Sequence, residues 1–203
     1  MDSSDLYRHI TDFAHSSPTW MQSAFEVWTE YGLLLFGLLF ISVWWRSRGR
    51  TGGPRPVALA VLAPLATAVA YVASEALKSA VDEERPCRAV AGAAAPLITC
   101  PAPGDWSFPS NHAALAGAAA VALALAVPRL ALLTVPLALL MAFSRVYVGV
   151  HYPHDVAVGL LVGGSLAAAF VLGLAGPAGA VVAAMRASRL RAAVWFTGPG
   201  PAA

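Results

Sequence analysis

Charge is scarce in this chain. Asp, Glu, Lys and Arg make up 12% of its 203 residues, whereas hydrophobic residues make up 58% and the mean hydropathy is +0.66. A soluble domain carries roughly 25% charged residues, so the deficit excludes a large soluble body and points to a membrane protein. The net charge of +2 is too small to support nucleic acid as a partner. Residues 1 to 25 lack the basic start and apolar core of a signal peptide. They carry Asp2, Asp5, Asp12 and scattered aromatics, and read as a polar, amphipathic surface segment. No His/Cys cluster has zinc-like spacing, and no internal repeat stands out. Lysine is almost missing too: twelve of the thirteen basic residues are Arg, and Lys78 stands alone.

What is present is a series of apolar runs. A bilayer span takes roughly 20 apolar residues, so a handful of spans fit the length. The first covers about 27–45, with GLLLFGLLFISVWW as its core and Glu30 at its edge; the second covers about 57–77. A polar loop over 81–111 follows, then spans at about 112–127, 130–148 and 155–174. The expected fold is an all-α membrane helix bundle with five spans, divided into an outer-surface segment (1–25), a membrane domain (26–175) and an Arg-containing tail (176–203). Gly176-Pro177 is read as the end of the fifth span, and a sixth span in the tail is the lesser alternative.

The arginines orient this bundle. If the loop holding Arg46, Arg48, Arg50 and Arg55 is cytoplasmic, alternation also puts Arg129, Arg186, Arg189 and Arg191 inside, which gathers eight of the thirteen basic residues there. The N-terminus is then outside and the C-terminus inside. Three segments share the outer face: 78–88, 108–112 and 144–155.

These segments hold the candidate chemistry. In KSAVDEERP, Lys78 and Arg85 are seven residues apart, which puts them on one face of a helix that Pro86 ends. Snorkelling, or pairing with Glu75 and Asp82, is an equal alternative for Lys78. In SFPSNHAALAG, Ser110 and Asn111 precede His112 at a helix start whose free N–H groups favour an anion; an ordinary cap is the plainer reading. In SRVYVGVHYPHD, Arg145 is followed by His151, and Asp155 stands four residues later in the first turn of a helix. A carboxylate there can hold one imidazole nitrogen and leave the other as nucleophile or base. His154 lacks that one-turn offset. Together the residues suit phosphoryl transfer, which needs cations and amides around the phosphate, an in-line nucleophile and an acid for the leaving oxygen. A metal site is the competing use of His and Asp, and three cations in one pocket disfavour it.

KSAVDEERP, PSNH and SRVYVGVHYPHD resemble, in order, the three signature motifs of the type 2 phosphatidic acid phosphatase family, over residues 78 to 155. The resemblance implies a metal-independent lipid phosphatase without a cofactor. His151 would attack phosphorus, Asp155 would orient it, and His112 would protonate the leaving oxygen and then activate water. Lys78, Arg85, Ser110, Asn111 and Arg145 would hold phosphate oxygens. Asn111 stands where the family usually has Gly; Asn tolerates positive φ, and its side chain bears on substrate choice. The small chain and outer-facing site look most like bacterial undecaprenyl diphosphate phosphatases. The expected substrate is therefore a polyprenyl diphosphate, with phosphatidylglycerol phosphate, phosphatidic acid or another lipid phosphate as alternatives. A vanadate-binding haloperoxidase is disfavoured by the lack of a soluble body, and a non-catalytic lipid-phosphate binder or transporter is the reading from another class. Cys87 and Cys100, outside the reducing cytosol in this topology, are a disulfide candidate, with two free thiols as the alternative.

Overall fold

The computed structural model describes residues 3–49 and 53–199, which form helices and turns with no strand among them. Asp2 and Arg50, counted among the charges above, lie outside the described residues. Helix α1 (Ser4–Ser16) buries Tyr7, Thr11 and Ala14, a stripe at i, i+4 and i+7 on an otherwise polar helix. Ser17 is extended, as a residue before proline tends to be, and the chain restarts after Pro18 as α2 (Thr19–Arg48). Then come α3 (Arg55–Val81), the single turn α4 (Pro86–Ala89) and α5 (Asn111–Ala126). A 3-10 turn (Pro128–Leu130) leads into α6 (Ala131–Tyr147), followed by α7 (Pro153–Ala187) and the short α8 (Arg191–Thr197).

Helices α2, α3, α6 (with its preceding turn) and α7 are each long and apolar enough to cross a membrane. α5, with 16 residues, is shorter and packs against α3, α6 and α7. Its composition explains that central place: it is mostly Ala, and small residues let helices approach closely. At Gly117 a Cβ would stand 2.6 Å from the Leu160 carbonyl oxygen, and at Gly159 one would stand 2.6 Å from that of Ser110. Side chains at either position would force α5 and α7 apart.

Each of the five expected spans corresponds to one helix, with two corrections. Gly176-Pro177 does not end the fifth: α7 runs through Pro177 to Ala187. A proline inside a long helix frees few backbone groups, and neighbouring helices tolerate the adjustment. Residues 176–187 thus continue the bundle, and what remains of the tail is α8, whose seven residues span about 10 Å. Second, Lys78 and Arg85 do not share a helix. α3 ends at Val81, Asp82 takes a left-handed conformation (φ 49°), and Arg85 is extended before Pro86 opens α4. A reversal of the chain, rather than helical spacing, brings the two cations together.

α1 lies across one end of the bundle. Tyr7 Oη donates to the Gly149 carbonyl (2.9 Å), and the Tyr7 and Tyr152 rings lie 5.9 Å apart. Thr29 of α2, the last turn of α3, the start of α5, the end of α6 and the start of α7 meet at the same end. At the opposite end α8 folds back on α2, where the Trp44 ring meets Trp195 edge-on and Phe196 at a tilt.

Candidate active site

His151 follows α6 in the tight segment Val148–Tyr152, where Gly149 has φ +84° and sits against Pro96. Four residues on, Asp155 lies in the first turn of α7. Its Oδ2 accepts from the Tyr152 N–H (2.8 Å), so the carboxylate caps its own helix. The same oxygen accepts from Ser107 Oγ and lies 3.3 Å from His151 Nδ1. On the other side of the ring, Arg85 Nη1 is 3.1 Å from Nε2 and also donates to the Val150 carbonyl at 3.0 Å. A guanidinium only donates, so Nε2 accepts and carries a lone pair, while Nδ1 carries the hydrogen and donates to Asp155. The sequence spacing suggested one nitrogen held and one free; these contacts assign which.

The cations are buried. Relative exposures are 7% for Lys78, 3% for Arg85, 7% for Arg145, 2% for His151 and 0% for Asp155. Buried charges need partners, and here each has at least one, although Arg145 Nε is buried without a hydrogen-bond partner. Lys78 Nζ and Arg85 Nη2 both reach Asp105 Oδ1, at 3.0 and 2.9 Å, and Arg85 Nε donates to the Asp105 carbonyl at 2.8 Å. Arg145 Nη1 donates to Thr29 Oγ1 of α2 (2.7 Å). Burial pushes the Asp105 carboxyl up, but hydrogen bonds and charge from Arg85 and Lys78 outweigh it and hold the group below the usual carboxylate range. Burial first, then the charges of Arg145, Arg85 and Lys78, holds the His151 pKa well below that of an ordinary histidine.

Lys78, Arg85, Asn111, His112, Arg145 and His151 line one cavity of about 370 Å³, whose walls also include Tyr71, Glu75, Asp105 and Leu115. Six residues singled out in the sequence therefore converge, with Asp155 directly behind His151. Ser110 does not line the cavity. It is fully buried as the N-cap of α5, its Oγ accepting from the Ala113 N–H (3.5 Å) and its own N–H donating to the Asp155 carbonyl (3.2 Å). The plainer reading of that serine, an ordinary cap, is what the structure shows. Asn111 needs no positive φ, since it is the first residue of α5. Its amide is drawn to α3, with Ser74 Oγ donating to its Oδ1 at 2.6 Å and its Nδ2 donating to Glu75.

Sequence reasoning missed Asp105, Ser107 and Thr29. Ser107 opens SFPSNH, three residues before the helix cap, where nothing in the local pattern marks it. Asp105 sits in the polar loop with no motif around it, and Thr29 stands beside Glu30, where a polar residue just inside an apolar run is the available signal. His154 lies outside the cavity and bridges segments, its Nδ1 at 2.7 Å from Ser3 Oγ and its Nε2 at 3.1 Å from Glu83. Glu83, His154 and Asp155 are the one trio among the described residues whose potential ligand atoms lie within 4.8 Å of one another. Cys87 and Cys100 form a disulfide (S–S 1.96 Å), tying α4 to the loop that leads to Asp105.

Comparison with known proteins follows the same line. An undecaprenyl-diphosphatase of Sulfolobus acidocaldarius is 47% identical over 64 residues, 31% of each chain. A decaprenylphosphoryl-5-phosphoribose phosphatase of Mycobacterium tuberculosis is 36% identical over 102 residues, 49% of this chain and 52% of that one. The chain thus spans about half or less of the length of these curated relatives. The undecaprenyl-diphosphatase BcrC of Bacillus subtilis is 29% identical over 169 residues, 83% of this chain and 79% of that one. Among solved structures, Aquifex aeolicus LpxE superposes with a TM-score of 0.63 at 24% identity, covering 83% of this chain and 93% of that one, a likeness of fold. The PAP2 superfamily model matches residues 59–175, which contain all three motif segments and the cavity residues above; this multi-pass membrane protein belongs to the PAP2 superfamily.

Proposed function

We propose that the protein is a lipid phosphatase that hydrolyses a polyprenyl diphosphate, such as undecaprenyl diphosphate, to the monophosphate and inorganic phosphate. The observation that carries this reading is the His151 imidazole, held between Asp155 at Nδ1 and Arg85 at Nε2, on the wall of a cavity that also presents Lys78, Arg145 and His112.

In this reading His151 Nε2 attacks the terminal phosphorus while Lys78, Arg85 and Arg145 neutralise its oxygens. The bond to the bridging oxygen breaks, and His112 donates the proton that the departing lipid monophosphate takes up. His112 then accepts a proton from water, which attacks the phosphohistidine and releases phosphate, returning His151 to its starting state. Asp155 keeps Nδ1 protonated and balances the charge that builds on the ring. The amide N–H groups at the start of α5 contribute through the main chain of Asn111, whereas Ser110 acts by holding that helix start in place.

Polyprenyl lipids appear in the names of the relatives from Sulfolobus, Mycobacterium and Bacillus, which favours a polyprenyl substrate over a glycerolipid. The same reading places the cavity on the extracytoplasmic side. Every described acidic residue belongs to the end of the bundle that holds the cavity, whereas Arg46, Arg48, Arg55, Arg129, Arg186, Arg189 and Arg191 belong to the other. The Cys87–Cys100 bridge also suits an oxidising compartment.

Phosphate release from undecaprenyl diphosphate, phosphatidylglycerol phosphate and phosphatidic acid, compared as kcat/KM on the purified protein, tests the substrate. Acid-labile label trapped on the wild type, and absent from His151→Ala, tests the intermediate. A preference for either glycerolipid overturns the first, and label retained on the Ala variant overturns the second.

A further inference from the structure

Three arginines at the end of the bundle away from His151 converge on a second cavity. Arg46 near the end of α2, Arg55 at the start of α3 and Arg129 in the turn between α5 and α6 line a space of about 530 Å³, and Leu39, Val43 and Leu59 supply apolar wall. That volume lies within the range of small-ligand sites. All three arginines are exposed, and none has a hydrogen-bond or ion-pair partner among the described residues. No acidic residue lines the space.

The same end shows what an arginine with a structural task looks like. Arg48 lies over the rings of Trp44, Trp45 and Trp195, at 5.4, 4.6 and 4.4 Å, and Arg186 donates to the Thr197 carbonyl at 2.9 Å. Arg189 and Arg191 are exposed and line neither cavity. Retention of positive charge at one membrane face accounts for the sign of all these residues. It does not account for three of them, from three separate elements, meeting around an apolar hollow between helices.

We propose that this hollow binds an anionic phospholipid, with the headgroup phosphate held by Arg46, Arg55 and Arg129 and an acyl chain lying along Leu39, Val43 and Leu59. Guanidinium forks match phosphate oxygens, and basic pockets between membrane helices suit anionic headgroups. A free phosphate leaves the apolar wall uncovered, and a zwitterionic lipid brings its own cation among three others. A neighbouring groove along α7, about 490 Å³ and also lined by Arg55, gives room for a second chain. The site is separate from the proposed reaction and does not depend on it.

The test is lipid binding by the purified full chain, read by native mass spectrometry and by thermal shift, with dioleoyl phosphatidylglycerol, dioleoyl phosphatidylcholine and inorganic phosphate as probes. Phosphatidylglycerol should bind at least tenfold more tightly than phosphatidylcholine, and millimolar phosphate should not displace it. R46Q/R55Q/R129Q should lose the preference, whereas R189Q/R191Q and K78M should keep it. Should the triple Gln variant not fold, R46K/R55K/R129K retains charge and orientation and should weaken phosphatidylglycerol several-fold through loss of the forks. The proposal is overturned by an unchanged preference in whichever triple variant folds, by equal loss in R189Q/R191Q, by loss in K78M, which would move the lipid to the other end, or by displacement with phosphate alone.

Discussion

At one end of the bundle Lys78, Arg85 and Arg145 are buried and pointed into a cavity by Asp105, Val150 and Thr29. At the other end Arg46, Arg55 and Arg129 are exposed and no side chain orients them. Taking a charge out of water is costly, so cations kept buried must be matched by acceptors and by a use. Exposed ones need neither. The difference separates cations enclosed and fixed by protein groups from cations left open to solvent and headgroups, although the two groups look alike in composition.

The sharpest way to break this comparison is at the buried end. His151→Ala should lower phosphate release by about 1,000-fold or more, the scale of losing a nucleophile, while lipid phosphate still binds. Asp155→Asn should follow with a loss of about 100-fold or more, because an amide can present its N–H to Nδ1 and favour the wrong tautomer. Single-turnover assays alongside equilibrium binding separate these outcomes from misfolding. Turnover within tenfold of wild type in His151→Ala would remove the nucleophile assignment.

Next in size is a pair of charge-preserving swaps. Lys78→Arg should cost about tenfold in kcat, because the planar fork cannot take the place of a compact ammonium packed against Asp105 and Glu75. Arg129→Lys at the exposed end should leave phosphate release unchanged. Full activity in Lys78→Arg would return that residue to the snorkelling alternative and erase the contrast between the ends.

How much of this was legible follows from which interactions are local. The apolar helices were readable because hydrophobic runs are a property of contiguous sequence, and four of the five expected spans are long enough to cross a membrane. Asp155 was readable too, because one helical turn fixes its distance from His151. Asp105 was not, since it meets Lys78 and Arg85 only through the turn at Asp82 and the extended segment after it, and a left-handed aspartate leaves no periodic mark. Thr29 and Arg145 are 116 positions apart, so their bond is a product of packing α2 against α6. The length of α7 was misjudged for a related reason: Gly-Pro is a stop signal in water, and a long membrane helix absorbs it.

Smaller in effect is the pH response of the buried end. Because His151 is held below the ordinary histidine pKa of about 6.5, it stays neutral into acid, which the proposed attack by Nε2 requires. The acid limb of kcat/KM, corrected for substrate ionisation, should fall below that value, and Arg145→Gln should move it upward by removing a facing charge. The sign for stability is the same. Below about pH 6.5 the unfolded chain takes up a proton that the folded His151 refuses, so stability present above that pH declines as pH falls. A wild-type limb at about 6.5 would mean that the imidazole is not enclosed by Arg85, Arg145 and Lys78 as described.

The smallest contrast concerns how each end is fastened. Tyr7 Oη, fully buried, donates to the Gly149 carbonyl in the segment that carries His151, and burial together with Tyr152 raises its pKa to about 12, so the donor is always protonated. Tyr7→Phe leaves that carbonyl buried without its partner and should destabilise by about 1 kcal/mol. At the other end Trp44 Nε1 donates to the Phe196 carbonyl at 3.2 Å in an exposed setting, where water can replace the lost donor. Trp44→Phe should therefore cost less through that bond, although its smaller ring also gives up packing on Trp195. Thermal unfolding in one detergent compares the two, and hydrogen exchange at Val148–Tyr152 should rise in Tyr7→Phe alone. Equal exchange in both variants would show that α1 covers the segment that carries His151 without holding it.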